Sequence, residues 1–189
     1  MRLRLALVLP LLLWAFSANI RADDLFDKPG KSSYVTLESV QTVSIVPGRP
    51  SDAYLHFRVG NGYHINSNRP NSELLIPTTV KLMPPNDIMA GKIAYPPGKD
   101  LSFPFSPEDK LNVYTGEFTV KALVTATKVA SPGKFTVHGE LHYQACNDNA
   151  CFPPKTLPLQ FDVKVSSASA ARSTGLYPVR RGQSPHIKR

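Results

Sequence analysis

Over residues 34–165, apolar and polar side chains alternate with a period of two and prolines punctuate the alternation, a combination that admits strands and rejects helices. The pattern is clearest in two stretches. In KFTVHGELHYQAC, Phe135, Val137, Leu141 and Tyr143 share one face, while Thr136, His138, Glu140, His142 and Gln144 share the other. In TLPLQFDVKV, Leu157, Leu159, Phe161, Val163 and Val165 oppose Pro158, Gln160, Asp162 and Lys164. Residues 54–59 and 118–124 alternate in the same way, and further strands are expected near 34–37, 42–46, 79–83 and 88–95 with Pro and Gly turns between them. Proline supplies 18 of 189 residues, near twice its usual share of about 5%, and no segment shows a capped helical period. About seven to nine short strands at this spacing predict an all-β, immunoglobulin-like β-sandwich over residues 34–165.

Both ends break the alternation. MRLRLALVLPLLLWAFSANIRADD sets Arg2 and Arg4 ahead of an apolar run from Leu5 to Phe16, then small residues and acid, which is the layout of a secretory signal peptide over 1–22. That run falls short of the ~20 apolar residues a membrane span requires, and no later segment reaches that length. Residues 23–33 read as a linker, and the Ser-, Ala- and Arg-rich residues 166–189 as a disordered basic tail. The mature chain is therefore expected to be periplasmic or secreted, without a transmembrane segment, and to fold as one domain with its own core.

The net charge of +8 belongs to these ends. Three of the 22 Lys and Arg residues lie in 1–22 and five in 166–189, so 14 face the 14 Asp and Glu between them. A formally neutral domain offers no phosphate-binding face, and no nucleic-acid partner is expected.

Export places the two cysteines in an oxidising compartment. In YQACNDNACFPPKT, Cys146 closes one strand and Cys151 precedes the next. A hairpin brings such ends within the roughly 7 Å Cα separation that a disulfide requires. A ring this small stabilises by only about 2 kcal/mol, less than a bridge between distant segments. A redox pair and a structural bridge are both compatible with this placement. Asp148, with Asn147 and Asn149 beside it, supplies the polar groups of the loop, and a carboxylate there raises a thiol pKa. That suits a pair attacked by an activated partner thiol better than an autonomous oxidase.

No metal or cofactor is expected. Two thiolates without a second ligand pair do not complete a zinc site. His138 and His142, four apart on a strand, stand about 13 Å from one another, so a copper site would need cross-strand partners. These two, His56 and His64 are expected as exposed strand residues. No Ser-His-Asp order, phosphate loop or hydrolase-type carboxylate pair occurs.

One connection, YPPGKDLSFPFSPEDKLN over 95–112, carries four prolines and two phenylalanines and is too long for an ordinary turn. It is expected to be a structureless segment, either a surface loop whose Phe103 and Phe105 tuck into the sandwich edge or a lid.

GELHYQACNDNACFPPKTLPLQFDV, with its Tyr-Gln-x-Cys start and Cys-x-Pro-Pro continuation, resembles the end of the N-terminal periplasmic domain of the DsbD family of thiol:disulfide interchange proteins. NGYHINSN at 61–68 is similar to that family's Gly-Tyr strand, and LNVYTGEF at 111–118 to its strand after the lid loop, so the resemblance spans 34–165. It implies an immunoglobulin-like domain that takes electrons from a thioredoxin-like domain and hands them to other periplasmic thiol-disulfide proteins. It further implies that Cys151 exchanges with the partner and Cys146 resolves, beneath an aromatic lid for which Phe103 or Phe105 is the candidate. Tyr63, His64, Asn66, Tyr143 and Asp148 are then the expected neighbours of the pair. Two departures stand out: the family shows tyrosines where this chain has His64 and Asn66, and its cysteine spacing is one residue longer. The chain is expected to carry this domain alone, so a separate thioredoxin-like protein would donate or accept the electrons. The alternative is a non-enzymatic exported binding module whose disulfide only rigidifies one hairpin.

Overall fold

A computed structural model describes residues 34–167. The expected signal peptide and linker, and the basic tail beyond Ser167, lie outside the described residues.

Two four-stranded sheets form the body. The first takes the order β1-β3-β9-β6, from β1 (Val35–Ser39), β3 (Pro50–Val59), β9 (Glu117–Ala126) and β6 (Ile88–Ala94). The second takes the order β2-β12-β10-β5, from β2 (Val43–Ile45), β12 (Lys155–Val165), β10 (Gly133–Tyr143) and β5 (Thr79–Met83). Alternation explains why they face one another. Leu55, Phe57, Val120 and Val124 point inward from the first sheet, Val137, Leu141, Leu157 and Val163 from the second, and all join one continuous core. Burial of each such side chain contributes roughly 1.5–3 kcal/mol. Phe57 and Phe118 pair in register and stack with centroids 5.2 Å apart. Gly139 has a packing reason: a Cβ there would come within 2.7 Å of the Lys81 carbonyl on β5. The result is the predicted all-β, immunoglobulin-like sandwich.

A third, smaller sheet corrects the expectation of seven to nine strands. Its order is β11-β4-β8-β7, from β11 (Ala145–Cys146), β4 (His64–Asn66), β8 (Ser106–Tyr114) and β7 (Lys99–Phe103), making twelve strands among the described residues. Strands of two and three residues are too short to display a period. The connection over 95–112 is likewise not structureless, because β7 and β8 form a hairpin. Lys99–Ser102 pair with 110–113, a ladder free of proline, and the prolines sit before it or around its turn, where no ladder N–H is required of them. No helix among the described residues is long and apolar enough to cross a membrane.

Candidate functional site: a disulfide hairpin on the third sheet

At the end of β10 the chain leaves the sandwich, passes through Gln144 and enters the third sheet as β11. There Cys146 is bonded to Cys151, with Cα atoms 3.9 Å apart. The intervening turn is closed by the Asn147 N–H donating to the Ala150 carbonyl at 2.9 Å, and Asn147 Oδ1 accepts from the Asn149 and Ala150 amides, both at 2.9 Å. Below the bridge the Phe152 N–H donates to the Ala145 carbonyl at 2.8 Å. The two cysteines differ in access: Cys146 is fully buried and Cys151 is exposed.

Side-chain amides anchor the base of this hairpin. Gln144 Nε2 donates to the Phe152 carbonyl at 3.2 Å, and Gln144 Oε1 accepts from Asn66 Nδ2 at 3.1 Å and from the Ile76 N–H at 3.4 Å. Asn66 Nδ2 also donates to the Ile76 carbonyl at 3.0 Å. Buried hydrogen bonds of this kind hold position chiefly because leaving one partner unmet costs about 1–3 kcal/mol.

Register places His64 directly opposite Cys146, and the Asn66 N–H donates to the Gln144 carbonyl two residues along. His64, Asn66, Gln144 and Cys146 therefore share one face of the β4–β11 pair. His64 is only 2% exposed, against the expectation of an exposed strand histidine, because β7–β8 covers it. Phe103 stacks on its ring at a centroid distance of 3.8 Å, and Phe105 lies parallel to Phe103 at 5.7 Å, 37% exposed. Burial pulls the His64 imidazole below its ordinary pKa of 6.5, and the Asp148 carboxylate partly opposes that. Asp148 itself stands exposed on the turn.

A second aromatic group flanks the other strand of the hairpin. Phe152 stacks on Tyr34 at 5.1 Å, Tyr63 meets both edge-on at 4.9 and 6.0 Å, and Lys155 Nζ lies 5.1 Å from the Tyr34 ring centre. Tyr63 is delivered by a turn in which Gly62 adopts φ +78° and the Tyr63 N–H donates to the Gly60 carbonyl.

The structure thus brings Tyr63, His64, Asn66, Asp148, Phe103 and Phe105 to the hairpin, its flanking rings and its base. Tyr143 is fully buried in the sandwich core, opposite Lys155 in register. His138 and His142 remain on the outer face of β10, and His56 Nδ1 bonds to Thr119 Oγ1 at 2.9 Å. Among the described residues no three of His, Cys, Asp and Glu gather as a metal would require. Sequence reasoning missed Gln144, Phe152, Lys155 and Tyr34 as members of the site. The first three adjoin the cysteines and could have been nominated by proximity; Tyr34 carries no local signal.

A family model described as thiol:disulfide interchange protein DsbD, N-terminal, matches residues 31–162. Among solved structures, the reduced DsbD N-terminal domain of Neisseria meningitidis aligns at 21% identity over 60% of this chain and 77% of that one, with a TM-score of 0.38. The N-terminal periplasmic domain of ScsB from Proteus mirabilis aligns at 13% identity over 68% and 47%, with a TM-score of 0.42. The complex between the DsbD N-terminal and PilB N-terminal domains from Neisseria meningitidis aligns at 22% identity over 59% and 73%, with a TM-score of 0.37. No curated protein matches the chain.

Proposed function

We propose that this chain, which belongs to the family of the DsbD N-terminal domain, is a periplasmic thiol-disulfide exchange module that relays electrons through Cys146 and Cys151. The observation that carries this reading is the unequal access of the two sulfurs, Cys151 on the exposed arm of the hairpin and Cys146 buried against His64. A bridge serving only to rigidify has no need of one reachable end. A thiolate on a thioredoxin-like partner attacks Cys151 along the S–S axis, a Cys151–partner disulfide forms, and Cys146 leaves with the electron pair and takes a proton. A second partner thiolate then attacks the partner's own sulfur, leaving Cys151 reduced and the partner oxidised. The reverse sequence passes electrons to another periplasmic thiol-disulfide protein.

Phe103 and Phe105 act as the lid in this reading. They stand at the turn of the β7–β8 hairpin, at the edge of the third sheet, and their parallel rings cover His64, which faces Cys146. The β7 end of the hairpin, on the edge strand, can lift locally while β8 stays held by its ladder to β4 and by Tyr114 in the core.

Titration of the disulfide against glutathione, combined with trapping by a Cys146→Ser variant, tests the function. A potential within the range of exchange proteins and a Cys151-linked thioredoxin-like partner are expected. A potential below about −300 mV with nothing trapped would identify an inert structural bridge and favour the binding-module alternative.

A further inference from the structure

Two buried side-chain atoms on β4, His64 Nε2 and Asn66 Oδ1, have no hydrogen-bond partner among the described residues. Buried polar atoms are almost always paired, and an orphan at a redox site calls for a reason. In the disulfide state Cys146 carries no proton to donate. An acceptor whose donor arises only on reduction would look as His64 Nε2 does here.

We propose that His64 is the base that takes the proton of the Cys146 thiol when the mixed disulfide resolves. This rests on the exchange reading above and extends it to a named residue. In the mixed disulfide, Cys151 is bonded to the partner sulfur and Cys146 is a thiol. Cys146 gives its proton to His64 Nε2 as its sulfur bonds to Cys151. The Cys151–partner bond breaks, the partner leaves as a thiolate with the electron pair, and the imidazolium returns its proton to solvent. In the opposite direction the same nitrogen receives the hydrogen bond of the newly formed Cys146 thiol.

The geometry supports each part. Directly opposed residues of an antiparallel pair hold their Cβ atoms about 4.5–5.5 Å apart on one face, and His64 and Cys146 are such a pair, 2% and 0% exposed. Phe103 stacks flat on the imidazole, which fixes the ring plane while leaving its nitrogens at the edge. Around His64 stand Cys146 from β11 and the uncharged rings of Phe103 and Phe105 from β7–β8, with the Asp148 carboxylate on the turn close enough to act on its charge. Burial keeps the imidazole neutral and ready to accept, and Asp148 favours the imidazolium once it forms.

The test is resolution of a glutathione mixed disulfide in the full chain. Reduced protein is treated with glutathione disulfide, quenched in acid, and the mixed disulfide at Cys151 followed by mass across pH 6 to 9. Wild type should resolve at a rate nearly independent of pH above about 6.5, since its base is already neutral. His64→Gln keeps an acceptor but cannot take a proton. It should accumulate the mixed disulfide, resolve about 100-fold more slowly at pH 7, and speed up about tenfold per pH unit as the thiolate fraction rises. His64→Phe keeps the stack on Phe103, should behave alike, and decides the matter if the Gln variant does not fold. Normal exchange with an unchanged profile in these variants would overturn the role of His64 alone. Failure of wild type to form any mixed disulfide would overturn the exchange function and the base with it.

Discussion

The two-sheet body and the third sheet use the same strand period but bury different chemistry. Between the two large sheets the buried side chains are apolar, from Val35 to Val165. The buried polar side chains of the described residues are His64, Asn66, Ser67 and Thr78, all on β4 or on the segments that bond to it. Ladder lengths differ as well: β10 and β12 pair over eleven residues, whereas β4 and β11 pair over two. Apolar area and long ladders stabilise the body. The third sheet shares in the apolar core through Ile65, Tyr114 and Ala145 and has the β7–β8 ladder, but its β4–β11 end rests on a two-residue ladder, amide hydrogen bonds and ring stacks, and such regions open locally at lower cost. The longest ladders and the disulfide thus lie in separate sheets of one domain.

This division can be broken from either side. The largest effect is expected in the body. Leu141 lies between Leu157 and Val80 in register, and Leu141→Ala should cost about 3 kcal/mol, read as a lower denaturant midpoint with unchanged slope. The reduction potential of the molecules still folded should not move. Removing the bridge with paired Cys146→Ala and Cys151→Ala should cost about 2 kcal/mol and leave the sandwich folded by circular dichroism. Collapse of the whole domain would show that the hairpin supports the body after all.

Smaller effects sharpen the boundary. Gln144→Ala strips a partner from the Phe152 carbonyl and the Ile76 amide, at about 1.5 kcal/mol, and faster amide exchange should stay within the third sheet and the 75–78 segment. Gly62→Ala meets no atom within 4 Å, so its cost of about 1 kcal/mol comes from the left-handed backbone alone.

Acid gives the smallest effect. His64 has a folded pKa below its ordinary 6.5, so the unfolded chain binds more protons between those two values. Stability is full above about pH 6.5 and falls as the pH drops through the window beneath it. His64→Phe should flatten that window. A separate decline at lower pH comes from Asp162 and Asp100, whose carboxylates are held below their ordinary 3.8 first by the hydrogen bonds from Lys134 and Asn112 respectively. Denaturation midpoints at pH 7.5, 5 and 3 separate the two.

Much of the fold was legible because its signals are local. The faces of β10 and β12 were assigned correctly, residue by residue, since a strand's side chains alternate whatever it pairs with. The β7–β8 hairpin was not legible, because Lys99–Ser102 forms a strand only against 110–113, and its flanking prolines read as loop. His64 was misjudged as exposed for a related reason. Nothing within residues 61–68 indicates that a phenylalanine some forty positions later will lie flat on its ring.

The sequence by itself determined an all-β sandwich with its cysteines at the ends of adjacent strands, because period, proline content and spacing are properties of neighbouring residues. Only the tertiary structure decided that Cys146 is buried and Cys151 exposed, that His64 faces Cys146 beneath Phe103, and that Tyr34 reaches Phe152. Each of those depends on register between segments far apart in the chain. A one-residue slip would turn every such side chain to the opposite face.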